Sequence, residues 1–518
     1  LAQLVRSVGA SRSEVILTCR AVSTTAARPE PADVWCVCDQ DLLFDEDEVR
    51  ELVSLSRRSE QEIVSEASHL LSRCSGHPAL TAIMVRHARF DDDASPPRDL
   101  IWYTQRLVSS LSAEAAPWLY AAALLREGSI GELEAALDDI QPIADGLEVM
   151  QPVVPLLQVG KDHDGRFRMH AVLCDEVLRT VPKQLGDAMA RTLRASARSV
   201  LLSSGDYPRL QRALVSDPDS DAVVRVCEDH GPALLASCGA AAVEQCLRKV
   251  PASRLSASPR LLLLRAATLR ERERIDEALT HTILAHRIAE VDGDLATQVD
   301  AALATVHLAV YATDLRRARE ALGQLQASLY PHMDEAARCL CESIGAVLAA
   351  ESTDWDEAVA RFKCASEALV RLDKSRVESV WSGNSLAGVQ GQMFGRWDLV
   401  QSLLVSMQTW PALTALQRLL VHSNLWVSRL EIGYCEGIEE SLRALIAQAE
   451  DAGLSHIAGC AMSTLADACW ESSPDSAADF HCSSAQLLVD VGELAGFAAG
   501  LVTRAMIRRA EHRAEEAL

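Results

Sequence analysis

Arg20 ends the run Glu14-Val15-Ile16-Leu17-Thr18-Cys19 and is the first residue of the chain placed for chemistry. So short an apolar run reads as a buried strand, and α/β folds gather ligand groups at the carboxyl ends of their strands. Its guanidinium is positioned for a phosphate, or is a plain surface group at a strand end. Pro78, in Ser75-Gly76-His77-Pro78-Ala79-Leu80, suits a first helical turn after a chain break. His170, in Arg166-Phe167-Arg168-Met169-His170-Ala171, stands where two unlike halves of the chain meet. It either reports what one half holds to the other or closes the joint as a neutral ring. The fifteen Cys fall singly or as Cys-x-Cys at 36/38 and 339/341, without paired Cys-x-x-Cys knuckles, so no structural zinc site is expected. His281 and His286 are five apart and share a helix face poorly. No Ser/His/Asp or Cys/His set is supported by spacing, so these residues by themselves are not expected to form an enzyme. Arg504, Arg508, Arg509 and Arg513 make a basic helical stripe that meets either an acidic ligand or solvent.

The composition narrows the function further. A chain of 518 residues exceeds what one core holds, so two or three units are expected. The formal charge of −23 opposes a nucleic-acid backbone. Nothing approaches the ~20 apolar residues of a membrane helix, and Leu1-Ala2-Gln3 is no signal peptide, so the expectation is a cytoplasmic protein without a membrane partner. Scattered thiols in such a compartment stay reduced.

The elements that must position these residues change character along the chain. Val34-Trp35-Cys36-Val37-Cys38 reads as a second short strand, and Asp45 with Glu48 three later starts a helix. Asp91-Asp92-Asp93-Ala94-Ser95-Pro96-Pro97 is a boundary by composition. Helices are predicted around 100–111, 113–125 and 130–137. The turn Lys161-Asp162-His163-Asp164-Gly165 then joins strands at 156–159 and 167–169, followed by a helix from about Ala171 to Thr180. That is the pattern of a winged-helix module. Where its recognition element would need cations it carries Glu127, Glu132, Glu134, Asp138 and Asp139, so an intramolecular role is expected.

From Pro259 the chain repeats. Small or aliphatic residues anchor the turns at 278, 318, 358, 400, 438, 478 and 517, in steps of 40, 40, 42, 38, 40 and 39. An acidic cap before the second helix and an Ala that admits a close neighbour describe tetratricopeptide-like helical hairpins. No hairpin can bury its apolar stripe alone, so the pairs must stack into a superhelix with a concave face.

Taken in order, Leu17-Thr18-Cys19-Arg20, Asp41-Leu42-Leu43-Phe44-Asp45-Glu46-Asp47-Glu48, Gly76-His77-Pro78-Ala79-Leu80, Phe167-Arg168-Met169-His170, the stretch from Gly231 to Pro251 and Pro259-Arg260-Leu261-Leu262-Leu263-Leu264 resemble the MalT-like, large LuxR-type branch of the STAND signalling ATPases. The resemblance implies a nucleotide-gated transcription regulator. ATP/ADP would be its cofactor, with Arg20 near the γ-phosphate, Pro78 against the adenine and His170 on the β-phosphate of ADP. It also implies a small-molecule or protein inducer on the concave face, self-association on activation, and DNA contact through a C-terminal helix-turn-helix. This sequence contains no Gly-x-x-x-x-Gly-Lys-Ser/Thr and no terminal basic helix-turn-helix, so sequence is expected to be missing on both sides.

The expected architecture is therefore mainly α. Residues 1–90 would be the C-terminal part of an α/β nucleotide-binding domain with its helical lid, 91–182 the winged-helix module, 183–258 a helical linker and 259–518 the superhelical sensor. Two other functions fit the same pattern: a tetratricopeptide-like scaffold for protein partners with no nucleotide or DNA step, or the same switch fused to a cyclase or kinase.

Overall fold

The computed structural model describes residues 45–54, 105, 108, 115–137, 157–159, 166–169, 171–434, 436–470 and 472–490. Their contacts form two compact units, Leu1–Ser216 and Asp217–Leu518.

In the first unit, α1 (Glu46–Ser54) opens on the expected reciprocal cap. Asp45 N donates to Glu48 Oε2 at 2.9 Å, and Glu48 N donates to Asp45 Oδ1 at 2.9 Å. Further on, α2 (Ala115–Leu125) is apolar all round and almost wholly buried. Arg126, at φ 64°, turns the chain into β1 (Glu127–Ser129), and α3 (Ile130–Leu137) follows. Strand β2 (Leu157–Val159) pairs antiparallel with β3 (Arg166–Met169), as the Asp-Gly turn predicts. On its other edge β3 takes β1, with Gly128 opposite Phe167, giving the order β1-β3-β2. The sequence reading contains no β1, because Glu-Gly-Ser has no strand preference and is extended only by pairing with β3.

Three helices complete this unit: α4 (Ala171–Leu185), α5 (Asp187–Ser203) and α6 (Tyr207–Ser216). The expected boundary at 182 falls inside α4, which continues through Pro182. Arg209 of α6 ties these parts together. Its Nη2 lies 2.8 Å from Glu132 Oε1, its Nε lies 2.7 Å from Asp206 Oδ2, and its Nη1 donates to the Glu127 carbonyl. The Arg209 hydrogen bond holds the Glu132 carboxyl below its usual range. Glu132 also completes a reciprocal cap with Ser129. Its charge is thus engaged within the fold.

The second unit begins with α7 (Ser220–Leu247), bent at Gly239 where φ is 78°, and the short α8 (Ala252–Ala257). Six antiparallel helix pairs follow among the described residues. Their first members are α9 (Pro259–Arg270), α11 (Leu295–Tyr311), α13 (Glu335–Glu351), α15 (Val377–Phe394), α17 (Ala415–Glu431) and α19 (Ser455–Cys469). Their second members are α10 (Ile275–Asp292), α12 (Leu315–Ser328), α14 (Trp355–Arg371), α16 (Trp397–Met407), α18 (Ile438–Asp451) and α20 (Pro474–Asp490). Each first helix packs on the next first helix as well as on its own partner, so the first helices form a continuous inner layer.

The turns explain the regular period. Before five of the second helices one residue takes the left-handed conformation, and in four of these turns the next amide reaches back to the first helix. Asp314 N donates to the Ala309 carbonyl at 2.9 Å and Asp354 N to the Ala349 carbonyl at 3.0 Å. Asp314 and Asp354 then cap the new helix by accepting from the amides of Arg317 and Glu357. The anchors Ala278, Ala318, Ala358, Val400, Ile438 and Ala478 are all buried. Four of them are the fourth residue of their helix. Ile438 instead opens α18, and the fourth residue of α20 is Ala477, so the register slips in the last two pairs. Residue 517 lies outside the described residues.

Close approach is tested most sharply at two glycines of α15. A Cβ on Gly391 would enter the Trp397 ring, whereas one on Gly388 meets open space. Gly391→Ala is expected to lower stability in urea unfolding by about 1–3 kcal/mol through overpacking. Gly388→Ala is expected to raise it by roughly 0.5–1 kcal/mol through helix propensity. Equal effects would contradict the packing.

Candidate functional site

The inner layer carries an unusual stripe. On α11, Asp300, Ala304, His307 and Tyr311 recur at i, i+4, i+7 and i+11 and so share one helix face. The ring of His307 lies 4.0 Å from that of Trp381 on α15. Arg270, the last residue of α9, stands over the same indole at 4.7 Å. One turn further along, the Tyr311 ring lies 4.8 Å from the ring of His456, the second residue of α19. Cys460 Sγ is 3.7 Å from His456 Nε2. Residues from the first, second, fourth and sixth pairs therefore meet.

The turn between α9 and α10 closes the arrangement. Arg270 Nη2 is 3.2 Å from Glu271 Oε1, and Glu271 Oε2 accepts from Leu416 N at 3.4 Å. Glu273 Oε2 accepts from His456 N at 2.8 Å. Both amides belong to first turns, of α17 and α19, where backbone donors lack intrahelical partners.

Burial sets the protonation states here. Burial, then the Arg270 charge, depress His307 to about 3, and burial depresses His456 to about 4, so both rings are neutral at pH 7. Burial raises the Glu273 carboxyl, although the amides of His456, Ile457 and Ser455 pull the other way. Burial, with Glu273 beside it, lifts the Tyr311 phenol well above its ordinary value. Asp300 reaches solvent yet is crowded by its surroundings, with Glu378 foremost among the charges near it. Loss of water around the carboxyl, ahead of that charge, pushes it up to about 6.

Several polar atoms of this region are buried and unsatisfied: Arg270 Nε, Glu273 Oε1, Tyr311 OH, Trp381 Nε1 and Gln417 Nε2 have no hydrogen-bond partner among the described residues. The Tyr311 hydroxyl stands near enough to Glu273 to favour its charge. Four of these five atoms are donors. Leaving such groups unpaired costs about 1–3 kcal/mol each, which a polar ligand or water would recover.

Arg20, Pro78 and His170 lie outside the described residues, so the cleft they would share does too. No Cys/His set is expected from spacing, whereas His456 and Cys460 do meet, four apart on one face of α19. Their i, i+4 spacing was the available signal. Glu273 and Tyr311 had none, because their neighbours lie far away in sequence. Among the described residues, no three His, Cys, Asp or Glu converge as a metal set, and no helix is long and apolar enough to cross a membrane.

No protein-family model and no curated protein matches the chain. The solved structures similar to it include two helical proteins. One is a Signal Transduction ATPase with Numerous Domains (STAND) protein with a tetratricopeptide repeat sensor from Pyrococcus horikoshii. It is 12% identical with a TM-score of 0.33, and the match covers 92% of this chain and 65% of that one. The other is the APC/C hetero-tetramer Cut9-Hcn1, 13% identical with a TM-score of 0.34, covering 90% of this chain and 93% of that one. The chain thus spans 65% of the length of the first. Likenesses this slight carry no functional weight, and the helix pairing stands without them.

The depressed histidines set a pH dependence. Each binds a proton in the unfolded chain near pH 6.5 but not in the folded one, so its stabilisation is complete above that pH and lost as pH falls towards 4 and 3. Asp300 and Glu273, raised by folding, act in the opposite sense. His307→Phe keeps the ring on Trp381 and removes one titration. Between pH 6.5 and 4, urea unfolding of the wild type should lose about 1.4 kcal/mol per pH unit more than that of the variant. Parallel curves would mean that His307 is not a buried neutral imidazole.

Proposed function

We propose that the helix pairs from Pro259 onward form a binding arm that receives a small molecule or protein partner against their inner layer. The observation behind this is the unsatisfied set Arg270, Glu273, Tyr311, Trp381 and Gln417, drawn together from five different helices or turns. A purely structural solenoid would fill that layer with apolar side chains. The formal charge of −23 argues against nucleic acid as the partner.

The finer reading is that this arm is the sensor and regulatory portion of an ATP-dependent, MalT-like regulator of transcription. It rests on the ordered sequence signals at Arg20, Pro78 and His170, and on a hairpin followed by a helix at Arg166–Leu185, the wing expected of such a switch. ATP or ADP would be held by a longer protein, since this chain carries no phosphate-binding Gly-x-x-x-x-Gly-Lys-Ser/Thr. Catalysis by these residues alone is not part of the proposal. The competing reading is a protein-interaction scaffold with no nucleotide step.

Two measurements separate these possibilities. Titration of the full chain with sugars, peptides and small acids, followed by calorimetry, should find a ligand whose affinity falls about tenfold in Tyr311→Phe, the loss of one hydrogen bond. Ligands indifferent to Tyr311→Phe and Trp381→Phe would remove the inner layer as the site. In a longer protein carrying the nucleotide site, His170→Ala should weaken ADP retention and give inducer-independent activity. Unchanged nucleotide release would leave the scaffold reading.

A further inference from the structure

The turn between α9 and α10 differs from its counterparts. In five of the six turns the left-handed residue after the first helix is Glu273 (φ 56°), Thr313 (54°), Thr353 (61°), Gly395 (60°) or Gly433 (80°). Glycine meets that conformation freely, whereas an L side chain there costs about 1–2 kcal/mol. At Glu273 the strained position carries a carboxylate that is used at a distance. It accepts the amide of His456, 183 residues away, and the amides of Ser455 and Ile457 also favour its charge. Glu271 reaches the amide of Leu416, 145 residues away. One Glu-x-Glu turn of the first pair thus occupies the first turns of α17 and α19, which attract anions through their free amides and dipoles.

The fit is incomplete. The Glu271 bond is long, at 3.4 Å. Gln417, only 1% exposed and one residue past Leu416 in that first turn, leaves Nε2 without a partner, and Tyr311 OH stays unpaired near Glu273. More donors surround these ends than the turn satisfies. Meanwhile Arg272 and Arg274 are drawn away from the ends, to Glu244 at 2.6 Å and to Glu277. The carboxylates of Glu273 and of Glu271, the latter paired with Arg270, face those ends.

We propose that the first turns of α17 and α19 are a recognition surface for an acidic peptide segment of a partner, occupied in this structure by Glu271 and Glu273 as an autoinhibitory clasp. The proposal rests on the binding-arm reading and specifies its partner. A peptide is favoured over a small acid because the occupant seen is itself two acids one residue apart on a single tight turn of the chain. Displacement frees the amides of Leu416 and His456 for the partner and brings the spare donors into use.

The test uses the full chain with Glu271→Ala and Glu273→Gly combined, the second of which relieves the backbone rather than straining it. Amide hydrogen exchange at Leu416 and at 455–457 should quicken at least tenfold. A blocked synthetic peptide of residues 268–276 should slow it again and bind this variant at least tenfold more tightly than wild type. The same peptide with both glutamates replaced by glutamine should do neither. Unchanged exchange, or equal binding of the two peptides, overturns the proposal. Either result leaves intact a ligand that depends on Tyr311 and Trp381, so the broader reading would survive it. Should the double variant lose its near-ultraviolet circular dichroism, Glu273→Gln alone, which keeps an accepting oxygen, should show a smaller rise in exchange, and no rise would count against the clasp.

Discussion

The second unit depends on a helix end satisfied from far away in sequence. The first amides of a helix have no partner within it, and those of α19 are met by Glu273, a residue of the first helix pair. Stacked hairpins otherwise contact only their neighbours, and such an array could extend without closing. Here Val299, Leu303 and Val306 of the second pair share one apolar core with Trp381, Leu416 and Ile457, from the fourth, fifth and sixth. Carboxylate and core act together, since apolar burial supplies most of the attraction while the carboxylates meet the backbone amides of Leu416 and His456 at the joint.

Closure also determines the chemistry of the interior. Once the first helices face each other, the polar side chains they carry are removed from water, and the neutral form of each group is favoured. His307 and His456 lose their protons, the Tyr311 phenol holds its own, and the Arg270 charge rests on Trp381. An interior of this kind presents uncharged rings beside the Arg270 cation. The surface charge, by contrast, is spread over the helix faces in short Arg–Glu and Arg–Asp pairs such as Arg316–Glu320 and Arg396–Asp398, which contribute little individually.

The first unit uses the same economy of charge. Arg209, largely buried, bridges Glu132 and Asp206 and also satisfies the Glu127 carbonyl, so α6, β1 and α3 share one cation. Acids that in the linear sequence suggest only an unfavourable surface for DNA are, in the case of Glu132, part of the internal support of the sheet.

The sequence alone determined the helices, their pairing and their period, because these follow from local rules: an Asp cap, a left-handed turn residue and a small anchor, repeated about every forty residues. It also determined the β2–β3 hairpin, whose turn residues are adjacent in the chain. Tertiary structure alone decided that β1 is a strand and that the anchors slip in the last two pairs. It alone brought Glu273, Tyr311 and His456 together. The reason is physical: caps and turns are specified within a few residues, whereas the curvature of a superhelix sums small rotations over every pair. Which residues face each other across its interior is settled only when that sum is complete.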